Sequence, residues 1–283
     1  MEISLAQAAP DAVAAVTKEK EMRLRALLRE MQTVLVAYSG GVDSSYLALV
    51  ATEELGQRAL CVTGVSASLA TADHEAAIAL AKKFRFNHET LQTDELANPQ
   101  YQVNTPNRCY FCKTELYGKL APIAAARGIA FLADGSTTDD VSDFRPGRRA
   151  AAEHHVRSPL IESGLGKSEI RELSRRKNLP TWDKPASPCL SSRIAYGIPV
   201  SIEKLGTVER GERILREMGF RIFRVRYHNE LVRLEIAPEE MERVLQKAMV
   251  DELAKRFRAL GFRYVTLDLH GFRSGAMNEI IKR

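Results

Sequence analysis

Thr33-Val34-Leu35-Val36-Ala37-Tyr38-Ser39-Gly40-Gly41-Val42-Asp43-Ser44-Ser45 decides the fold of this chain. Thr33 to Tyr38 is a short apolar run rich in β-branched residues, which predicts a buried strand. Ser44 to Leu55 predicts a helix. Between them, Gly40 and Gly41 let the backbone turn tightly and approach phosphate oxygens with no Cβ in the way. The helix that follows presents unpaired N–H groups and the positive end of its dipole. Ser39, Ser44 and Ser45 add hydroxyl donors. Asp43 is oddly placed for a bare anion site. It makes sense if Mg²⁺ accompanies the phosphate, or as the helix N-cap. The Gly-Lys-Ser/Thr ending of a Walker loop is absent, and so is a Gly-x-Gly-x-x-Gly dinucleotide loop. A plain glycine turn with a good N-cap is the bland alternative; position after the first strand favours anion binding.

Outward from this loop, strands and helices alternate. Ala12 to Met31 predicts a helix before the first strand. Leu60–Val65, His88–Gln92 and Ile129–Ala133 predict further strands, and Thr71–Phe84 and Tyr110–Arg127 further helices. The alternation implies βαβ units, hence an α/β fold with a doubly wound parallel sheet. Lys167–Lys177 is a further helix, and Ser187–Gly197 a loop among prolines. After Gly197 the pattern changes to helix, strand, turn, strand, helix, strand: Ile202–Met218, Arg221–Tyr227, His228–Glu230, Leu231–Ile236, Pro238–Leu260 and Arg263–Leu269. This order predicts a second, smaller α+β domain. The expected domains are 1–199 and 200–283.

A chain of 283 residues, 45% hydrophobic, can build one large core and one small one. A net charge of +5 suits an anionic ligand but is far from a basic nucleic-acid tail. The apolar runs are too short and too broken by charge for a membrane span. Met1-Glu2-Ile3-Ser4-Leu5 has an early acid and no basic region, so no secretory signal is expected. Four cysteines in this length argue for a reducing cytoplasm rather than a disulfide scaffold.

Cys109-Tyr110-Phe111-Cys112 opens a helix, and Cys189 lies far off in Pro188-Cys189-Leu190-Ser191-Ser192-Arg193. Zinc would need a fourth ligand, for which His154 and His155 are the candidates, although such a pair at a helix surface is more often solvated. Three cysteines without a clear fourth ligand suit a [4Fe–4S] cluster with one open iron. The setting of Cys189 favours thiolate. Alternatively, Cys189 is a packed loop thiol. Cys61, inside a strand, is expected to be buried and inert.

The Ser-Gly-Gly-x-Asp-Ser signature of residues 39–44 resembles the PP-loop ATP pyrophosphatases. That resemblance implies a five-stranded parallel sheet of the adenine-nucleotide α hydrolase type and cleavage of ATP to AMP and pyrophosphate. It implies adenine near Val65 and Ser66, and Asp134-Gly135-Ser136 beside the nucleotide. Nearly the whole chain resembles the LarE family of ATP-dependent sulfur transferases. The likeness is carried by residues 39–45, Arg108 to Lys113, Asp134 to Ser136, Gly164 to Arg171, Trp182 to Pro185, Cys189 to Arg193 and Phe272 to Gly275.

The resemblance implies adenylation of a carboxylate of pyridinium-3,5-biscarboxylic acid mononucleotide and replacement of its oxygen by sulfur, on the way to the nickel-pincer nucleotide of lactate racemase. In the sacrificial form, the cysteine matching Cys189 gives up its own sulfur. Members that also carry the CxxC hold a [4Fe–4S] cluster on three thiols, and Cys109 and Cys112 place this chain with them. Sulfide or another sulfur donor is then a partner, and a homo-oligomer is implied. Lys167 and Arg193 are expected to offset phosphate charge, and Glu212, Arg224 and Arg226 to grip substrate. Alternatively, the two arginines are the solvated face of a strand. The rivals are a cluster-dependent tRNA thiolase using Arg145 to Arg149, a non-catalytic ATP-binding regulator, and a structural zinc protein. The mild charge and the absence of a zinc-ribbon CxxC pair weigh against RNA.

Overall fold

The computed structural model describes residues 5–141, 146–273 and 276–277. Met1 to Ser4, Arg145, Ser274 and Gly275 lie outside the described residues. In chain order the elements are α1 (Leu5–Met31), β1 (Val34–Ala37), α2 (Val42–Leu55), β2 (Ala59–Val65), α3 (Thr71–Lys83), β3 (Asn87–Gln92), α4 (Pro99–Gln102), α5 (Arg108–Ala126), β4 (Phe131–Ala133), α6 (Pro146–Glu153), α7 (Pro159–Glu162), α8 (Lys167–Arg176), α9 (Ile202–Glu217), β5 (Phe223–His228), β6 (Leu231–Ile236), α10 (Met241–Val244), α11 (Lys247–Ala259) and β7 (Tyr264–Leu267).

The chain forms two compact units. The first gathers the described residues of Met1–Val65, Thr71–Thr93 and Lys113–Lys184; the second gathers those of Ser66–Ala70, Asp94–Cys112 and Pro185–Arg283. This division differs from a single boundary near Val200. It moves two inner segments and the stretch that carries Cys189 into the second unit.

In the first unit, β3, β2, β1 and β4 form a parallel sheet in that order. The central strands read as unbroken apolar runs because helices cover both faces. Edge strand β3, Asn87-His-Glu-Thr-Leu-Gln92, is only half buried and correspondingly polar. Among the described residues the sheet has four strands rather than five. A fifth position is marked only by the isolated parallel bridge of Ala133 to Arg157. Helix α2 is buried over most of its length, which explains why its sequence is apolar nearly all round. Leu24, Leu28 and Met31 of α1 share its core.

In the second unit, β5 and β6 are antiparallel and β6 and β7 parallel, in the order β5, β6, β7. Helices α9 and α11 close a core around Leu215, Val225, Leu234 and Phe257. The single helix expected from Pro238 to Leu260 is broken. Gln246 adopts an extended conformation (ψ 135°) and restarts the chain as α11.

The close packing at the phosphate loop is set by glycine. A Cβ on Gly135 would lie 2.8 Å from the amide nitrogen of Ser44 and 3.0 Å from its Cα, both backbone atoms. Gly135→Ala therefore forces the start of α2 to move. The expected loss is about 1–3 kcal/mol of stability, with weakened ATP-analogue binding, read from urea unfolding and calorimetric titration. Wild-type values in both would contradict this packing.

Candidate active site

The phosphate loop follows the carboxyl end of β1. Gly40 has φ +69°, a left-handed conformation natural to glycine. A Cβ there would meet Ala77 Cβ at 2.6 Å. Gly41 is the N-cap of α2 and lends no side chain to it. Asp43 is thus not the cap; it sits in the first turn. Ser44 Oγ accepts from the Ser39 amide at 3.2 Å and lies 3.0 Å from Ser39 Oγ. These bonds fold the loop on itself and leave the first-turn amides without intrahelical partners. Ser45 departs from expectation. It is wholly buried, so its hydroxyl belongs to the core rather than the loop mouth.

Charges collect around Asp43 within the same unit. Burial pushes its carboxyl up to about 6. Lys167 opposes the shift, Asp140 adds to it, Arg171 opposes it and Asp139 adds again. Lys167 Nζ is 3.0 Å from Asp140 Oδ1, and its amide donates to Asp139 Oδ2 at 2.7 Å. Asp140 also accepts from the Thr137 amide and hydroxyl. Lys167, expected to offset phosphate charge, lies within electrostatic reach of Asp43 in the first turn of α2. The Asp139-Asp140 pair was missed, and its signal is an acid doublet just after a strand end. Asp134 is buried and accepts from the Ser136 amide and hydroxyl, Ser158 Oγ and Tyr117 OH. Its role is to shape the strand end that carries Gly135. Val65 ends β2, while Ser66 belongs to the second unit, where its hydroxyl donates to buried Glu95 at 2.6 Å.

Cys109, Cys112 and Cys189 all lie in the second unit. Cys109 is exposed, Cys112 and Cys189 are half-buried, and none is in a disulfide. Cys61 is buried in β2, and burial pushes its thiol up to about 12, so it is inert. Arg108 lies within electrostatic reach of two of the site's sulfurs. Burial works to lower its pKa, but Cys189 and then Cys109 raise it, and the net shift is upward. Tyr101 is raised first by burial, then by Cys189 and Cys112. Arg108 donates to the Ser191 carbonyl at 2.8 Å and to Asn104 Oδ1. Asn104 Nδ2 in turn donates to the carbonyls of Ala195 and Ile198, each at 2.9 Å. Tyr101 OH is 2.6 Å from Ser191 Oγ. These groups bind the Cys189 loop to the segment carrying Cys109 and Cys112. Only the basic residue beside the CxxC could have signalled them in the sequence.

Arg193 is corrected by the structure. Its Nε donates to Glu212 Oε1 at 2.8 Å and its Nη2 to Oε2 at 3.3 Å. Its remaining donors go to the carbonyls of Pro188 and Cys189 and to Ser192 Oγ. Arg193 and Glu212, expected on phosphate and substrate respectively, are spent on each other and hold the Cys189 loop. Arg226 is likewise engaged, by Glu235 at 2.9 and 2.7 Å and by the Ser192 carbonyl. Arg224 differs. It is buried, among the described residues donates only to the carbonyls of Phe223 and Ala186, and lies 4.8 Å from the Phe272 ring centroid. Burial, then the nearby Arg193, lowers its pKa to about 10. Neither Arg224 nor Arg226 belongs to a solvated strand face, because both are buried.

Among the described residues no group of three or more His, Cys, Asp and Glu side chains is arranged to hold a metal ion. His154 lies beside Tyr117, with ring centroids 6.1 Å apart and the planes inclined at 52°. Arg148 and Arg149 are in local bonds on the surface, the latter to Glu153. Among the described residues no helix is long and apolar enough to cross a membrane.

Asp43 holds a proton more tightly in the folded chain than an ordinary aspartate, whose pKa is 3.8. Its contribution to stability is therefore fully present below about pH 4 and lost as pH rises through about 6. Asp43→Asn removes that loss, so at pH 8 the ligand-free variant is more stable than wild type by up to about 3 kcal/mol. The advantage shrinks towards pH 4.5, as urea midpoints at the two pH values will show. Glu212→Ala leaves buried Arg193 without its carboxylate and costs about 3–5 kcal/mol, read from the same midpoints.

The model of the NAD synthase family matches residues 17–115. The Synechocystis protein slr1717 is 46% identical over 266 residues, covering 94% of this chain and 99% of that protein. The tRNA-specific 2-thiouridylase MnmA 1 of Syntrophus aciditrophicus is 27% identical, covering 72% of this chain and 66% of its own. Pyridinium-3,5-bisthiocarboxylic acid mononucleotide synthase of Lactiplantibacillus plantarum is 36% identical over 93% of this chain and 95% of its own. With a nucleotide-binding loop on a parallel sheet and likeness along both units, the chain belongs to the family of that synthase, the LarE-type ATP-dependent sulfur transferases.

Proposed function

We propose that this sulfur transferase adenylates a carboxylate of pyridinium-3,5-biscarboxylic acid mononucleotide and converts it to a thiocarboxylate. The observation that carries the reading is the gathering of Cys109, Cys112 and Cys189 in one unit around Arg108 and Tyr101, in a chain that also has the phosphate loop. The likeness to the L. plantarum synthase supplies the substrate class. The product would serve the nickel-pincer nucleotide of lactate racemase or a related nickel enzyme.

Oxide is a poor leaving group from a carbonyl carbon, and AMP is a far better one. A carboxylate oxygen of the substrate attacks the α-phosphorus of ATP. The new P–O bond forms as the α–β bridge breaks, and pyrophosphate leaves. A sulfur nucleophile then attacks the carbonyl carbon, the C–S bond forms and AMP departs. The amides at the start of α2, with Ser39 and Ser44, hold the pyrophosphate portion. Lys167 offsets charge there. Asp43, whose burial favours the protonated form, would be held as the anion by a Mg²⁺ that accompanies the nucleotide and could then serve as its ligand. Arg193 and Glu212 hold the Cys189 loop in shape. Arg224, hydrogen-bonded to no carboxylate among the described residues, is the candidate for the substrate's phosphate and carboxylates, while Arg226, already paired with Glu235, supports the strand beside it.

Three thiols in one unit, Cys109, Cys112 and Cys189, are the donor type a [4Fe–4S] cluster uses. Cys109, Cys112 and Cys189 would hold it, and when bound it supplies an open iron that carries sulfide. Thiols outside disulfides support a reducing, cytoplasmic setting. The small-molecule substrate, a sulfide-level donor and a homo-oligomer complete the reading.

Anaerobic purification followed by iron, acid-labile sulfide and zinc analysis tests the cluster. About four irons and four sulfides per chain are expected, lost in Cys109→Ala. Neither iron nor sulfide, with Cys189 losing the mass of H₂S after one turnover, would make the cysteine itself the donor. Stoichiometric zinc would overturn both.

A further inference from the structure

The segment Trp182-Asp183-Lys184 has no role in sulfur transfer as described, yet it is fastened directly to the phosphate loop. Lys184 Nζ lies 3.4 Å from the carbonyl oxygen of Gly40 and 2.9 Å from Asp73 Oδ1 in the first turn of α3. The backbone of the same segment is pinned by Arg171, which donates to the Trp182 carbonyl at 2.6 Å and to the Lys184 carbonyl at 2.8 Å. Arg171 also lies within electrostatic reach of Asp43. All of these residues belong to the first unit.

The cations around the loop are not equivalent. Lys167 pairs with Asp140, which Thr137 also holds through its amide and hydroxyl, and the Lys167 amide is itself fixed by Asp139. Arg171 has donors committed to two carbonyls of the strap. The Lys184–Asp73 pair is about a quarter exposed on each side, with side-chain values of 24% and 24%. Such a pair is weak, because solvent screens it. Lysine is a compact charge on a flexible stem, whereas Arg171 is a planar fork already matched to its partners. A triphosphate held at the loop would bring several negative charges to the backbone whose Gly40 carbonyl lies 3.4 Å from the Lys184 ammonium. A single screened carboxylate cannot compete with it.

We propose that Lys184 is a phosphate-binding residue of this enzyme, held in reserve by Asp73 and the Gly40 carbonyl and transferred to the nucleotide's phosphates when ATP enters. Arg171 fixes the backbone from which it swings. The inference rests on ATP use and goes beyond it by assigning a residue and a switch.

The molecule carries its own reporter. Trp182 is the single tryptophan of the chain, is 40% exposed, and stands two residues from Lys184. The experiment titrates a non-hydrolysable ATP analogue with Mg²⁺ into the full-length protein, following heat and tryptophan fluorescence together. Wild type is expected to bind with a saturable fluorescence change. Lys184→Met should weaken binding at least about tenfold, the scale of a lost charged hydrogen bond. It should also abolish the fluorescence change at saturating analogue. Lys184→Arg should recover part of both. Asp73→Asn, which loosens the tether, should bind the analogue more tightly. A thermal midpoint for each variant guards against simple misfolding. Wild-type affinity and an unchanged fluorescence response in Lys184→Met would overturn the proposal. Absence of analogue binding in wild type would instead overturn the nucleotide-site assignment beneath it.

Discussion

An anion held by backbone amides must meet bare backbone, and this constraint organises the first unit. The loop after β1 works only if the chain can pass close on either side of it. At one side Gly40 takes a left-handed conformation against Ala77; at the other Gly135 backs onto the Ser44 amide. The sheet order puts β4 beside β1, so the strand end that carries Gly135 arrives next to the loop. Asp134 then spends its oxygens on Ser136, Ser158 and Tyr117 to keep that end in shape. The same crowding buries Asp43 and raises its pKa, a cost in stability above about pH 6.

The second unit follows a different logic, in which buried ion pairs do the positioning. Arg193 with Glu212, and Arg226 with Glu235, are almost wholly buried. Pairs of this kind add little net stability over apolar packing, but losing one partner is costly. Both arginines also donate to carbonyls of residues 188–192, so their geometry is transmitted to the Cys189 loop. Asn104 and Arg108 secure the same loop from the other side. Among the described residues Arg224, unlike Arg193 and Arg226, makes no hydrogen bond to a carboxylate and donates to two carbonyls.

What the sequence revealed was whatever is local. A strand, two glycines and a helix in succession are read from neighbours, and so the phosphate loop, the parallel sheet and Lys167 were legible. The CxxC and Cys189 were legible as residue types. Long-range partnership was not. Nothing near Arg193 in the chain announces Glu212, and nothing in alternating Arg224 and Arg226 distinguishes a buried strand from a solvated one. The division into units was hidden for the same reason: segments 66–70 and 94–112 join residues after 185 through tertiary contacts alone. Ser45 looked like a third loop hydroxyl, but its helical position turns it into the core. Lys184 stood in plain view, yet only its approach to Gly40 gives it meaning.

The central claim is that ATP activates a carboxylate before sulfur arrives, and isotope exchange tests it most directly. Radiolabelled pyrophosphate is incubated with the enzyme, ATP, Mg²⁺ and pyridinium-3,5-biscarboxylic acid mononucleotide, with no sulfur donor and with Cys189 blocked by alkylation. Reversible adenylation predicts label entering ATP only when the mononucleotide is present. Mononucleotide and ATP both bound, with no label exchanged, would contradict an acyl-adenylate and with it activation ahead of sulfur transfer.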